Sequence, residues 1–226
     1  MSIRIKSRRW MRGCAVALIG VFAGILVIPL YADLSDFSFR PQLRKLRYVE
    51  EFYSLFAQNH MPSTDSTARN IWYLQVALNS PFKHPLKALC VIRTEEEHEQ
   101  YKRLLRTRIA FLLAQGFMQL GYRYDKEEIY FFNHEFAKDL SEGFDLARYY
   151  YREAIEYWNE ARRMASEVYR RRSVRLRGVL IEAIQDEARR IHAGDINYRR
   201  TIDFRLRELD RKQQMLARGQ FFSGSR

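Results

Sequence analysis

Between Cys14 and Ala32 the chain (CAVALIGVFAGILVIPLYA) holds no charged residue, and the segment before it carries Arg4, Lys6, Arg8, Arg9 and Arg12 with no acid. A basic leader ahead of an apolar stretch is what export machinery reads, because the positive end stays in the cytoplasm while the apolar helix enters the bilayer. Residues 1–32 are therefore expected to be a signal peptide or an N-terminal anchor in the inner membrane, and the remainder is expected to work in the periplasm. A span needs about 20 apolar residues, which Cys14 to Ala32 supplies only if Pro29 is tolerated. A secretory apolar region of about 7–15 residues fits Ala15 to Ile28 better. Leu30-Tyr31-Ala32 is an imperfect cleavage triplet, so removal and retention stand as alternatives. Cys14 precedes the apolar run and so cannot be the lipid-bearing cysteine of a lipoprotein. A buried N-terminal core helix, the third reading, would leave five cations without a role.

Charge then divides the rest of the chain. The net charge is +12, of which the leader contributes +5, residues 33–161 about −2 and residues 162–226 +9. In the last segment 16 of 17 cations are arginine. A near-neutral body thus carries a basic arm. With 14 Tyr and 15 Phe the chain has the means to build a core, and five Pro and ten Gly, mostly between periodic segments, favour helices. Cys14 and Cys90 are the two cysteines, so a cut chain keeps one thiol and no internal disulfide.

The expected fold is all-α. Pro41 suits a first helical turn, and Leu43, Leu46, Val49, Phe52, Tyr53 and Phe56 recur on one face. Ser66 is placed to cap a helix over 68–78, and Lys87 to Ile92 reads as a short helix. Thr94-Glu95-Glu96-Glu97 predicts a capping box, with three acids at the positive end of a helix running to about Tyr122. A further helix is expected from Glu135 through Ala161 and onward, its stripe of Met164, Val168, Leu176, Leu180, Ile184, Ala188 and Ile191 crossed by arginines. Gly194-Asp195 interrupts it, and Ile202, Leu206, Leu209 and Leu216 mark a last amphipathic helix. So narrow a stripe suits a coiled-coil seam or docking helix. As one helix, about 60 residues would reach on the order of 90 Å.

Phe117-x2-Leu120-Gly121-x2-Tyr124 resembles the first helix of a tetratricopeptide repeat, and Ala147-x3-Tyr151-x2-Ala154 resembles its second. The gap between them is about 14 residues longer than that repeat allows, Asn159 stands where its terminal Pro belongs, and no second copy follows. An ordinary helical hairpin with small residues at its contact is the alternative. More broadly, Lys87-Ala88-Leu89, Glu97-His98-x2-Tyr101, Tyr124-Asp125-Lys126, Tyr130-Phe131-Phe132-Asn133 and Ala147 to Trp158 together resemble helical proteins of spirochaete periplasmic flagella, namely motor collar proteins and flagellar coiling proteins. That resemblance spans about a third of the chain and implies an accessory scaffold without chemistry of its own.

Catalytic and cofactor patterns are sparse. Glu95-x2-His98 has the spacing of half a di-iron site, yet His60, His84, His134 and His192 lack the matching Glu. No phosphate-cradling Gly loop, nucleophile elbow or zinc spacing is present in the sequence. The expectation is a non-enzyme with no cofactor and no metal. For Arg170, Arg171, Arg172, Arg175 and Arg177 three readings compete: a solvated helix face, a nucleic-acid contact, and a docking surface for acidic protein or anionic lipid. Arginine favours docking, since its planar fork pairs bidentately with carboxylates and is cheap to desolvate. The expected role is a scaffold subunit of an envelope assembly, which the resemblance implies is the flagellar motor collar. Phe117, Tyr124, Tyr151 and Trp158 would form one binding surface and the arginine arm another, with further copies or other envelope proteins as partners and no nucleic acid. A membrane-tethered nucleic-acid binder is the alternative.

Overall fold

In the computed structural model, which describes residues 46–58, 64–125 and 137–218, the described residues form α-helices and one short 3-10 turn, with no strand among them. The helices are α1 (Val49–Gln58), α2 (Thr64–Leu78), α3 (Glu95–Asp125), α4 (Ala137–Arg170), α5 (Val179–Ala193) and α6 (Tyr198–Ala217). The chain is all-α, as its periodicity predicts. Residues 1–32 lie outside the described part, as do residues 126–136 and 219–226. Among the described residues no helix is long and apolar enough to cross a membrane.

α3 is the central element. Its buried residues, among them Leu104, Leu105, Ile109, Phe111, Leu113, Phe117 and Leu120, occupy nearly every side of the helix, which happens only when neighbours cover it all round. Its start follows the predicted cap, with one change. The Glu97 amide donates to Thr94 Oγ1 at 3.2 Å, but the Glu97 carboxylate reaches past Thr94 to accept from the Arg93 amide at 2.6 Å. α4 runs antiparallel to α3: Phe117 meets Tyr157, Tyr122 meets Tyr151, and Gln100 reaches the Val168 carbonyl near the far end. Gly121 makes the close approach feasible, because a Cβ there would lie 2.5 Å from the Tyr151 ring. α1 and α2 cover another side of α3, with Ile71 packed on Gly116.

Four expectations change. Residues 46–48 precede α1 instead of continuing a helix begun at Pro41, and α2 starts at Thr64, upstream of Ser66. Pro85–Lys87 is a single 3-10 turn, and residues 88–92 are not helical. The largest change concerns the arm. α4 ends at Arg170, the chain turns, and α5 restarts after Gly178, whose φ of 132° belongs to glycine. At the restart one position of the expected stripe changes, Ile181 being buried in place of Leu180, which is 44% exposed, while Leu176, Ile184, Ala188 and Ile191 stay on it. Gly194, at φ 88°, closes α5 as expected.

The basic segment therefore does not extend into solvent. Ile181, Ile184, Ala188, Ile191, Ile202 and Leu209 join the same core as α3 and α4. The boundary expected at 161/162 falls inside α4, and one compact unit runs from Gln42 to Arg226, with Met1–Pro41 in another.

Candidate functional site

The turn between α4 and α5 exists because a side-chain amide replaces missing backbone partners. Gln185 Oε1 accepts from the Leu176 amide at 3.2 Å, and its Nε2 donates to the Leu176 carbonyl at 2.9 Å. Leu176 is thereby pinned inward and is buried. The Gly178 amide donates to Glu182 Oε1 at 3.0 Å, closing the first turn of α5. Fixing this turn leaves its remaining side chains pointing outward: Arg170, Arg171, Arg172, Arg175 and Arg177 are all exposed.

Beside the turn lies a groove of about 1070 Å³, walled by the first turns of α3, the last turns of α4 and the first turns of α5. Gln100 reaches it from α3 and is 2% exposed; its Nε2 donates to the Val168 carbonyl at 3.2 Å, while its Oε1 is buried without a hydrogen-bond partner among the described residues. The groove's acids are largely occupied. Glu96 is held by its own amide and the Thr94 hydroxyl, which keep its carboxyl below the ordinary range. Glu97 takes the Arg93 amide, Glu182 the Gly178 amide, and Asp186 the Arg189 guanidinium. Arg172 stacks over the Tyr169 ring at 4.8 Å, and that ring in turn stacks on His192 at 4.2 Å. Arg170, Arg171, Arg175 and Arg177 have no acidic partner among the described residues, unlike Arg108 with Glu187 or Arg148 with Asp145 and Asp210. Burial pushes the Glu187 carboxyl up even opposite Arg108. An unpaired guanidinium cluster offers planar donor forks to carboxylate or phosphate.

The aromatic residues expected at a partner surface lie elsewhere and play another part. Phe117, Tyr151 and Trp158 are buried between helices. Phe117 stacks on Tyr157 at 5.4 Å, and Trp158 meets Phe111 at 6.2 Å and Tyr198 at 5.7 Å. Tyr124 is half-buried and packs 5.6 Å from Tyr150. These rings hold the hairpin together and leave almost no face for another molecule. Nor does the fold bring them to the arginines, since Arg170 sits about 28 Å along α4 from Tyr151.

Two buried polar networks went unforeseen. Asp125, at the end of α3, accepts from Lys212 Nζ at 2.6 Å and from the Tyr151 hydroxyl at 2.9 Å, and Lys212 also donates to the Asp125 carbonyl at 2.9 Å. Burial and the Asp125 charge drive the Tyr151 phenol far above its ordinary range. In α1, buried Glu50 accepts from the Tyr101 hydroxyl at 3.1 Å and the Lys83 amide at 3.1 Å. Both carboxylates are saturated by neighbours and serve the fold. Among the described residues no group of three His, Cys, Asp or Glu is placed to hold a metal ion.

No curated protein and no solved structure matches the chain. The model of one family does, described as "Domain of unknown function (DUF8513)", over residues 96–218. That range takes in α3 through α6, and with them the groove, the arginine turn and the Asp125–Lys212 pair. Spanning more than half of the sequence, it shows that the chain belongs to the DUF8513 family.

Proposed function

We propose that this chain is a non-catalytic scaffold subunit of an envelope assembly, held in the inner membrane by residues 14–32 and working in the periplasm. The assembly that the residue resemblance suggests is the flagellar motor collar, and the tetratricopeptide-like pair α3–α4 is its rigid frame. The observation that carries the reading is the α4–α5 turn, where four exposed arginines have no acidic partner among the described residues and two of them, Arg175 and Arg177, line an open groove. Acids one turn away satisfy some solvated guanidinium groups, as Glu160 and Glu167 do for Arg163, and the turn itself, residues 171–178, holds no acid. Leaving four unpaired side by side costs stability through repulsion, and docking to an acidic surface offsets that cost.

A photo-crosslinking residue in place of Ser173, in the wall of the groove, is expected in intact cells to capture envelope proteins of one assembly, and an export-dependent reporter fused to the C-terminus is expected to be active. An inactive reporter with nucleic acid captured at Ser173 would instead establish the membrane-tethered nucleic-acid binder, because unpaired guanidinium groups also suit phosphates.

A further inference from the structure

Next to the arginine turn the fold leaves aliphatic side chains in water. Val179 is 91% exposed, Val91 is 70% exposed, and Leu180 stands beside Val179 on the first turn of α5. The two valines belong to segments that touch: a Cβ on Gly178 would lie 3.9 Å from Cys90 Cβ, so Val91 and Val179 flank one contact. Leu86, 86% exposed, precedes on the same connector. Aliphatic groups this bare, gathered at one end of a fold, mark an interaction surface. Around them stand exposed Lys87, Arg93, Arg175 and Arg177, with Arg170 and Arg171 at the end of α4. The neighbouring acids subtract from the positive field: Glu97 and Glu182, each of which accepts from a backbone amide, and the exposed Glu95 and Glu96.

We infer that this end of the molecule lies on an anionic lipid bilayer, with Val91, Val179 and Leu180 in the headgroup–acyl boundary and the arginines among the lipid phosphates. Apolar tips ringed by cations are what interfacial binding requires. α1 begins beside the same connector: the Val49 amide donates to the Pro81 carbonyl at 3.1 Å and Lys83 pairs with Glu51 at 3.1 Å. The inference rests on the membrane-anchored reading proposed above and adds a second, lipid-specific contact to it.

The test uses the full chain with Cys14→Ser and Cys90→Ser, carrying a nitroxide on Val91→Cys or Val179→Cys, with Arg152→Cys as an aqueous control. The vesicles are phosphatidylcholine with or without phosphatidylglycerol, and circular dichroism checks each variant's helicity. Both patch positions are expected to become oxygen-accessible and shielded from an aqueous nickel complex only when phosphatidylglycerol is present, while the control stays aqueous. Each basic residue at an anionic surface contributes about fivefold to partitioning, so Arg175→Glu with Arg177→Glu should abolish the depth signal. If the chain floats with the vesicles but Val91→Cys and Val179→Cys stay aqueous, the lipid contact is overturned and the anchor stands. Failure to float overturns both. Spin–spin broadening between the labels without lipid depth assigns the patch to a second copy and likewise overturns the inference.

Discussion

The two ends of the α3–α4 hairpin solve opposite problems with the same kinds of residue. At one end Asp125, Tyr151 and Lys212 form a closed set in which the carboxylate is buried and each polar group has its partner. At the other, about 45 Å away along α3, Arg170, Arg171, Arg175 and Arg177 face water beside an open groove. Charge kept inside is bound to fixed geometry and can do nothing but hold helices together. Charge left outside contributes little to the fold and remains available. The contrast separates structural from functional charge more sharply than composition does, since both ends draw on the same basic segment.

Breaking the closed end should have the largest effect. Lys212→Ala strands the Asp125 carboxylate in the core, where loss of one partner of a buried pair costs about 3–5 kcal/mol. Arg205, 3.9 Å from Asp125 Oδ2, should hold the loss near the lower figure. Urea unfolding would show it, and Asp125→Asn with Lys212→Met should recover most of it. A lone Lys212→Ala as stable as the native chain would show that the pair contributes nothing to the fold. Next comes Gly121→Ala. Its added methyl would meet the Tyr151 ring at 2.5 Å, so about 1–3 kcal/mol of overpacking outweighs the ~1 kcal/mol that alanine gains in a helix. A shifted thermal midpoint with unchanged helicity is the expected record. Arg175→Ala with Arg177→Ala should do least to the fold, within about 0.5 kcal/mol, while weakening the docking that the reading requires. A drop of several kcal/mol would mean that the open end is structural after all.

How much of this was legible depends on which residue is asked. The Thr94-Glu95-Glu96-Glu97 box gives α3 its start, and Gly121 and Ala147 give the hairpin, because small residues at helical spacing have few other uses. The rings of Phe117, Tyr151 and Trp158 read equally well as packing or as surface, since amphipathic spacing names a face without naming what covers it. Gly178 carried a warning: a glycine amid exposed arginines ends a helix more readily than it continues one, and the apolar stripe runs through it without a gap. Lys212 carried another, as the single lysine among the 17 cations of the last segment. A flexible stem with a compact charge suits burial against one carboxylate where a planar fork does not. For Glu50 the sequence offers no such hint, because its partners Tyr101 and Lys83 come together only through the fold.

The Asp125–Lys212 pair also sets an order in time. The two residues are 87 positions apart, so a ribosome working at about 5–20 residues per second delivers the lysine roughly 4–17 s after the aspartate. Throughout that interval the hairpin can offer the Asp125 carboxylate the Tyr151 hydroxyl but not its counter-charge, so burying it costs stability. The end of the chain thus acts as the latch, and a polypeptide cut short before Lys212 would keep its nascent hairpin ajar for proteases to find.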